Sequence, residues 1–476
     1  MIKHAKIIIV HSYISHYNDN QRKVKAGVDR GQFCVLQTLI SNIYKRRKSM
    51  RAANVAKAVK SEKALDLFKQ MYGENRAEAN AKRYEMVAEG FEKEFGDKEF
   101  EFFTAPGRTE IGGNHTDHNH GKVLAGSVHL DCVAAAAPNG TNTVTLISET
   151  YNQHLVIDLD NLAPTEKTTG TEPLLKGIFA GLIEKGYKVE GFDAYTTSNV
   201  IGGAGVSSSA AFEMLVCVIV DYLFNDGKIG VVSYAKAGQY AENKYWLKGS
   251  GLLDQLACAV GGMITIDFAD IENPKIREIK CNFDEMGHDL VIINTGKGHA
   301  DLSAEYSAVP NEMKKVAQYF GKEVLEQIDE DAVIENVKEI RKFAGDRAVL
   351  RAFHFFEENK RVDAEVEALE AKDFDTFLRK VTESGDSSWK WLQNCYCNET
   401  PDEQSITVAL ALTKLYLDKI GHGVCRVHGG GFAGVIAAFL PKEYTDGFTK
   451  YIDKALGEGS AYVMHIRPQG AIKVEL

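Results

Sequence analysis

The sequence predicts an α/β protein of the α+β kind, and three observations carry that expectation. Beyond residue 95, short runs rich in aromatic and β-branched residues alternate with longer stretches whose apolar residues recur at helical spacing. Two glycine-rich turns, at 202–205 and 429–434, interrupt that alternation next to strand-like runs. The 476 residues are 44% hydrophobic and 26% charged, which is a globular balance and excludes a disordered or fibrous chain. At roughly 100–200 residues per domain, two domains is the simplest reading.

The elements follow in order. Ala53–Phe68 and Ala77–Phe95 read as amphipathic helices, and Phe100–Thr104 as a short strand that stops at Ala105-Pro106-Gly107. Val123–Ala137 and Thr143–Ser148 read as strands, and Glu172–Lys185 as a helix. Phe192–Asn199 is a strand leading into the first glycine turn. Asp289–Asn294 has the unbroken apolar character of a buried strand. Ala332–Lys380 holds long charged helices, Val424–His428 and Gly434–Phe439 flank the second glycine turn, and Ala461–Arg467 and Ala471–Val474 close the chain as strands. Glycine-rich motifs dominate before residues 270–290 and helices after them. The expected division is therefore a domain over 51–285 and a second over 286–476.

Residues 1–50 differ from the rest. They hold ten Lys or Arg against two Asp, so +8, which leaves −18 for the remainder of a chain whose net charge is −10. The segment reads either as a basic tail for an anionic partner or as sequence upstream of a natural start at Met50. An excess of acidic over basic side chains argues against a general nucleic-acid binder. No apolar run approaches the roughly 18 residues of a spanning helix, so no membrane association is expected. Eight scattered cysteines form no disulfide framework, and Cys395 and Cys397 lack a second pair for zinc, so reduced thiols in a cytoplasmic protein are expected.

Three segments carry chemistry. The first is Gly202-Gly203-Ala204-Gly205-Val206-Ser207-Ser208-Ser209-Ala210, which follows a strand and opens a helix with apolar residues at Phe212, Leu215, Val216, Ile219, Val220 and Leu223. Glycines let the backbone approach a ligand, and the first amides of a helix lack intrahelical partners, so this is an anion site, most simply for phosphate. It lacks the Gly-Lys-Ser/Thr ending of a P-loop and the G-x-G-x-x-G of a dinucleotide site. The second runs from Ala105 to Gly121, a dense polar loop with Arg108, Asn114, His115, Asp117, His118 and His120. His-x-x-His-x-His spacing allows a metal, but no partner cluster completes it; a hydrogen-bonding cradle for a polyol fits better. The third is Gly249-Ser250-Gly251-Leu252-Leu253-Asp254-Gln255, which places one acid at the head of an apolar helix, a position the helix dipole alone would favour.

Together, from about residue 100 to 440 and in the right order, these motifs resemble galactokinase, of the GHMP family of small-molecule kinases. Gly107-Arg108 through His115-Thr116-Asp117 to Leu124 is similar to the galactokinase signature, 202–210 to the family's ATP-phosphate motif, and His428-Gly429-Gly430-Gly431-Phe432-Ala433-Gly434 to its third motif. The resemblance implies a GHMP kinase fold, with a ribosomal-S5-like N-terminal domain, a ferredoxin-like C-terminal domain and an active site between them. It implies transfer of phosphate from MgATP to the anomeric hydroxyl of a sugar, most simply galactose. Arg108 and Asp254 would be catalytic. Asn114, His115, Asp117, Gly251 and Tyr306 would contact the sugar. Gly203, Gly205, Ser207, Ser208, Ser209 and Ala210 would hold ATP, and Ser209 with Glu242 would hold Mg²⁺. The expected partners are thus a small sugar and MgATP.

Three positions depart from the family pattern: Asn114 where Glu is usual, His118 where Tyr is usual, and Glu110 where Asn is usual. Replacing the Glu at 114 would cost a charge-assisted bond to the sugar's 6-hydroxyl and relax recognition there. The alternatives are a kinase for a hexose modified at carbon 6 or carbon 2, a non-catalytic sugar sensor, and a metal-dependent hydrolase using the histidines.

Overall fold

The computed structural model describes residues 49–476 except 201, 204, 282, 284, 297–301 and 399. The basic segment 1–48 lies outside the described residues. The unit Met50–Leu476 is built on two sheets.

Strands β1 (Glu101–Gly112), β2 (Lys122–Pro138), β3 (Thr143–Ser148), β4 (Gln153–Asp158), β5 (Phe192–Ser198), β6 (Met263–Asp267) and β7 (Lys275–Ile279) enter the larger sheet. Strands β8 (His288–Asn294), β9 (Val424–His428), β10 (Val435–Pro441) and β11 (Ala461–Met464) form the smaller one in the order β11-β8-β10-β9. The last strand, β12 (Ile472–Val474), returns to the larger sheet and pairs with β1, so the two sheets are threaded together by the end of the chain. β2 is the hub of the larger sheet. One of its edges pairs with β1, while the other pairs with β6 at 122–126 and with β5 at 132–138. Pairing is antiparallel except between β3 and β5.

Side-chain alternation sorts the two faces. Phe100, Phe102, Val133 and Ala135 pack under the helices Glu62–Tyr72 and Ala77–Phe95, through a chain of rings linking Phe68, Tyr84, Phe102, Phe100 and Phe91 at centroid separations of 4.9–5.2 Å. Phe103, Ala105, Ala134 and Ala136 face the other way, onto a core shared with the helices Thr171–Glu184 and Ser208–Phe224. The latter helix is buried on nearly every side, which is why its sequence is apolar throughout.

Two elements differ from expectation. The strand beginning near Phe100 does not stop at Pro106; β1 runs on to Gly112, with register shifts between Pro106 and Arg108 and between Glu110 and Gly112. Bulges absorb the residue that cannot donate to the ladder and re-aim the side chains beyond it. The polar loop is therefore 113–121, and Arg108 and Glu110 stand on a strand. The first helix is also two, Ala52–Ala58 and Glu62–Tyr72, with the second capped by the Ser61 hydroxyl accepting from the Ala64 amide at 3.1 Å. The charged stretch after Ala332 is helical as expected, with Asp346–Glu370 and Phe374–Ser387 its longest members.

A buried carboxylate ties the layers. Asp131 on β2 is fully enclosed and accepts from Arg83 at 2.5 Å, Arg467 at 2.6 Å, the Tyr72 hydroxyl at 2.7 Å and the Thr104 hydroxyl at 2.5 Å. Burial would raise its pKa, but the two guanidinium groups outweigh that and hold it below the usual carboxylate range. Removing one partner from such a cluster leaves charge unpaired in low dielectric. Asp131→Asn is expected to cost about 3–5 kcal/mol in urea denaturation; a loss under about 1 kcal/mol would show that the cluster contributes little.

Candidate active site

A cleft opens where β1, the loop 113–121, Glu242 at the end of the helix Val231–Lys244, the segment 248–251, the head of the helix Leu253–Val260, Tyr306 and the turn 429–430 meet. Arg108 stands at its floor. Its Nε and Nη2 lie 2.8 and 2.7 Å from Asp254 Oδ1, its Nη1 donates to the Gly205 carbonyl, and its amide donates to the Val206 carbonyl at 3.1 Å. A side chain at Gly107 would place its Cβ 2.5 Å from that Val206 oxygen, so glycine there is what lets the strand and the loop touch.

The loop itself is left-handed at Gly203 and Gly205, with φ of 76° and 67°, and also at Ser207, with φ of 56°. A serine in that region carries a conformational cost of about 1–3 kcal/mol. Ser207 occupies the cap position of its helix but makes no cap; its hydroxyl donates to Asp254 Oδ2 instead. The first amides of the helix, around Ser208, Ser209 and Ala210, take no side-chain acceptor among the described residues and are open to an anion.

Asp254 is in the first turn of its helix and keeps 37% of its side chain exposed toward the cleft. Desolvation would raise its pKa; the Arg108 charge, the bonds from Ser207 and Arg108, and Lys248 pull it below the usual carboxylate range. It is ionised at neutral pH and is a weak base.

Beside it, the Ser209 hydroxyl donates to Glu242 Oε1 at 3.0 Å, and Lys248 Nζ reaches the same oxygen at 2.9 Å. A hydroxyl and a carboxylate suit Mg²⁺, which typically takes one or two protein oxygens and completes its shell with phosphate and water. Among the described residues no group of three or more His, Cys, Asp or Glu gathers as a metal site.

On the opposite wall, Asp117 enters the cleft over Gly251, where a Cβ would fall 1.9 Å from Asp117 Oδ2. His115 Nε2 donates to the Gly430 carbonyl at 2.9 Å. Burial and the neighbouring His118 depress its pKa to about 3, so the ring is neutral. The Tyr306 ring lies tilted against His115 at a centroid distance of 5.2 Å, and burial pushes its hydroxyl's pKa up, so it stays protonated.

Asn114 requires a correction. In place of the expected contact with the sugar, it is fully buried and outside the cleft lining. Its Nδ2 donates to Glu110 Oε1 at 2.9 Å and the Gly429 carbonyl at 2.7 Å, while its Oδ1 accepts from Asn394 at 2.8 Å and Ser388 at 3.3 Å. Two donors and two acceptor positions are thereby used. No capacity is left for a sugar, so the expected relaxation at carbon 6 does not follow from this residue.

Sequence reasoning also missed the buttress of the 113–121 loop. Glu358 Oε1 accepts from the amides of Gly113 at 3.2 Å and Asn114 at 3.4 Å, and His354 Nε2 donates to the Asn114 carbonyl at 2.9 Å. The signal was present: Arg351, His354, Glu358, Arg361 and Glu365 recur at 3- and 4-residue spacing on one helix face, and the structure buries them all. This charged stripe is an internal polar network.

The galactokinase galactose-binding signature matches residues 89–138, and the GHMP kinases N-terminal domain matches 174–262. The galactokinase of Lacticaseibacillus casei is 30% identical over 389 residues, covering 80% of this chain and 95% of that protein. The chain belongs to the galactokinase family. The galactokinase of Clostridium tetani is 29% identical over 364 residues, covering 76% of this chain and 89% of that protein. The crystal structure of Lactococcus lactis galactokinase complexed with galactose superposes with a TM-score of 0.70 at 25% identity, over 82% of this chain and all of that one. A mevalonate kinase structure, at 17% identity and a TM-score of 0.53, shares the fold. The chain thus has the GHMP kinase fold that its motifs implied, and it is a sugar kinase.

Two outcomes follow from this geometry. Gly251→Ala should displace Asp117 and lower kcat/KM for the sugar by roughly 10²-fold, with ATP affinity kept; a change under threefold would show that Asp117 does not depend on Gly251. Glu358 is held at a pKa of about 2, because Arg361, His354 and Arg426 overcome burial. Its folded value lies below its unfolded one, so its stabilisation is full above about 4.5 and is lost as pH falls toward 2. Glu358→Gln should lower the urea midpoint at pH 7 and flatten its decline between those values; an unchanged slope would remove this role.

Proposed function

We propose that the protein transfers the γ-phosphoryl group of ATP to the anomeric hydroxyl of galactose, giving galactose 1-phosphate and ADP. The lobes 51–285 and 286–476 would be its two domains, and the cytoplasm its setting, in keeping with free thiols at every cysteine among the described residues. The observation that carries the reading is the contact between Ser207 and Asp254. It sets the head of an uncapped helix one side chain away from an acid in a cleft whose polar lining suits a polyol, a separation that a transferred phosphoryl group can bridge.

The residues divide the work. The amides around Ser208–Ala210, with the turn through Gly203 and Gly205, hold the phosphates. Ser209 and Glu242 would hold Mg²⁺, which neutralises phosphate charge when bound. His115, Asp117, Gly251 and Tyr306 shape the sugar's side of the cleft. Asp254 accepts a hydrogen bond from the anomeric hydroxyl and aligns its oxygen, and Arg108 keeps Asp254 ionised and stabilises charge at the reacting end. Phosphoryl transfer passes through a loose transition state, so positioning and charge neutralisation do most of what a protein can do.

An ATP-consumption screen against free monosaccharides, followed by NMR location of the phosphate, tests the assignment. Galactose phosphorylated at carbon 1 is expected. A better hexose altered at carbon 2 or carbon 6 would replace the substrate, and sugar binding without ATP consumption would replace the enzyme with a sensor. Asp254→Asn should cut turnover by at least roughly 10²-fold while ATP still binds; a variant within threefold of the parent would remove the role given to Asp254.

A further inference from the structure

Glu110 stands on β1 two residues beyond Arg108, with its backbone held by the amide donating to His428 Nε2 at 3.0 Å. Its side chain is 8% exposed, and the residue lines the cleft. Its two carboxylate oxygens differ. Oε1 accepts from Asn114 Nδ2 at 2.9 Å and from Arg426 Nη2 at 2.8 Å. Oε2 takes no hydrogen bond from any described residue and is not sealed from the cleft.

We propose that Glu110 determines sugar specificity, its Oε2 accepting a hydrogen bond from a ring hydroxyl of the bound hexose. The inference rests on the sugar-kinase reading and adds a residue to it. Three features support it. First, an oxygen that faces the cleft and takes no bond from a described residue can exchange a water for a ligand hydroxyl. Second, a carboxylate oxygen paired with Arg426 accepts and a polyol supplies donors; burial raises the Glu110 pKa, which Arg426 and Arg108 oppose. Third, Asn114 fixes the carboxylate rather than competing with it, because its amide is spent on Glu110, Gly429, Asn394 and Ser388. Arg426, itself 1% exposed, holds the other side of Oε1, so the free oxygen has one direction left. The carboxylate that the resemblance places at 114 is thus present in the site, carried four residues earlier by the strand. With Asp117 and Asp254 also lining the cleft, the wall is acceptor-rich and anionic, which favours a neutral polyol and disfavours a sugar acid.

The test measures kcat/KM for galactose and its 2-, 3-, 4- and 6-deoxy analogues with the full chain, with Glu110→Gln and with Glu110→Asp. The parent is expected to reject at least one analogue by about tenfold or more. In Glu110→Gln that one penalty should shrink by about tenfold while the others stay. Such ratios, taken on one preparation, do not depend on how much of it is folded. A uniform fall for all sugars, or no change, would overturn the proposal and leave Glu110 only as a partner of Arg426. If neither variant folds, a crystal structure of the parent with galactose decides. A hydroxyl within about 3.2 Å of a Glu110 oxygen supports the proposal, and none within that distance overturns it. Failure of the parent to use galactose at all would instead count against galactose as the substrate, and the same ratios would then be read on the hexose it does accept.

Discussion

The charge of Arg108 organises the reactive half of the molecule. A guanidinium with almost no exposure must be matched, and here it is matched twice, by Asp254 through Nε and Nη2 and by the Gly205 carbonyl through Nη1. Those two contacts connect a strand, a helix head and a glycine loop that are far apart in sequence. Take the charge away and Asp254 loses its largest stabilising neighbour, while the loop loses a donor that helps to hold a conformation unfavourable for Ser207. The glycine loop and the Asp254 side of the cleft are consequently not independent; each is positioned by groups that belong to the other.

The same arrangement explains what was legible in the sequence. The loop 202–210 could be read as a helix head with open amides, because the residues that expose amides are glycine and serine between a strand and an apolar helix. Asp254 was readable only jointly, since one acid at a helix start is unremarkable by itself. The charged face of Asp346–Glu370 could be read only as a charged helix, since side-chain type does not say that its members neutralise one another inside: Glu358 with Arg361 at 2.7 Å, and Ser384 and two amides on the same carboxylate. Spacing of 3 and 4 residues marked a face but could not say which face was inside.

Asn114 and Glu110 show a different limit. Four residues apart, they look like unrelated departures from a pattern. The chain turns back after β1, past a register shift between Glu110 and Gly112, and Asn114 there meets Glu110; neither the shift nor the contact shows in residue identity at 110 or 114. A motif compared position by position counts a lost carboxylate at 114; the folded chain keeps a carboxylate in the cleft at 110 and uses the amide at 114 to fasten it. The chemistry is kept by contact rather than by position.

The depressed pKa of Asp254 fits that logic rather than opposing it. A general base is most effective with a pKa near the working pH, and a carboxylate paired with Arg108 and bonded by Ser207 is far from that. Phosphoryl transfer, however, develops little nucleophile–phosphorus bonding before the leaving group departs, so the hydroxyl proton becomes acidic late and needs direction more than it needs a strong acceptor. A firmly ionised acid, clamped on one oxygen by a guanidinium and on the other by the residue that heads the phosphate helix, supplies that direction. Raising its basicity by removing Arg108 would loosen the geometry that makes the weak base sufficient.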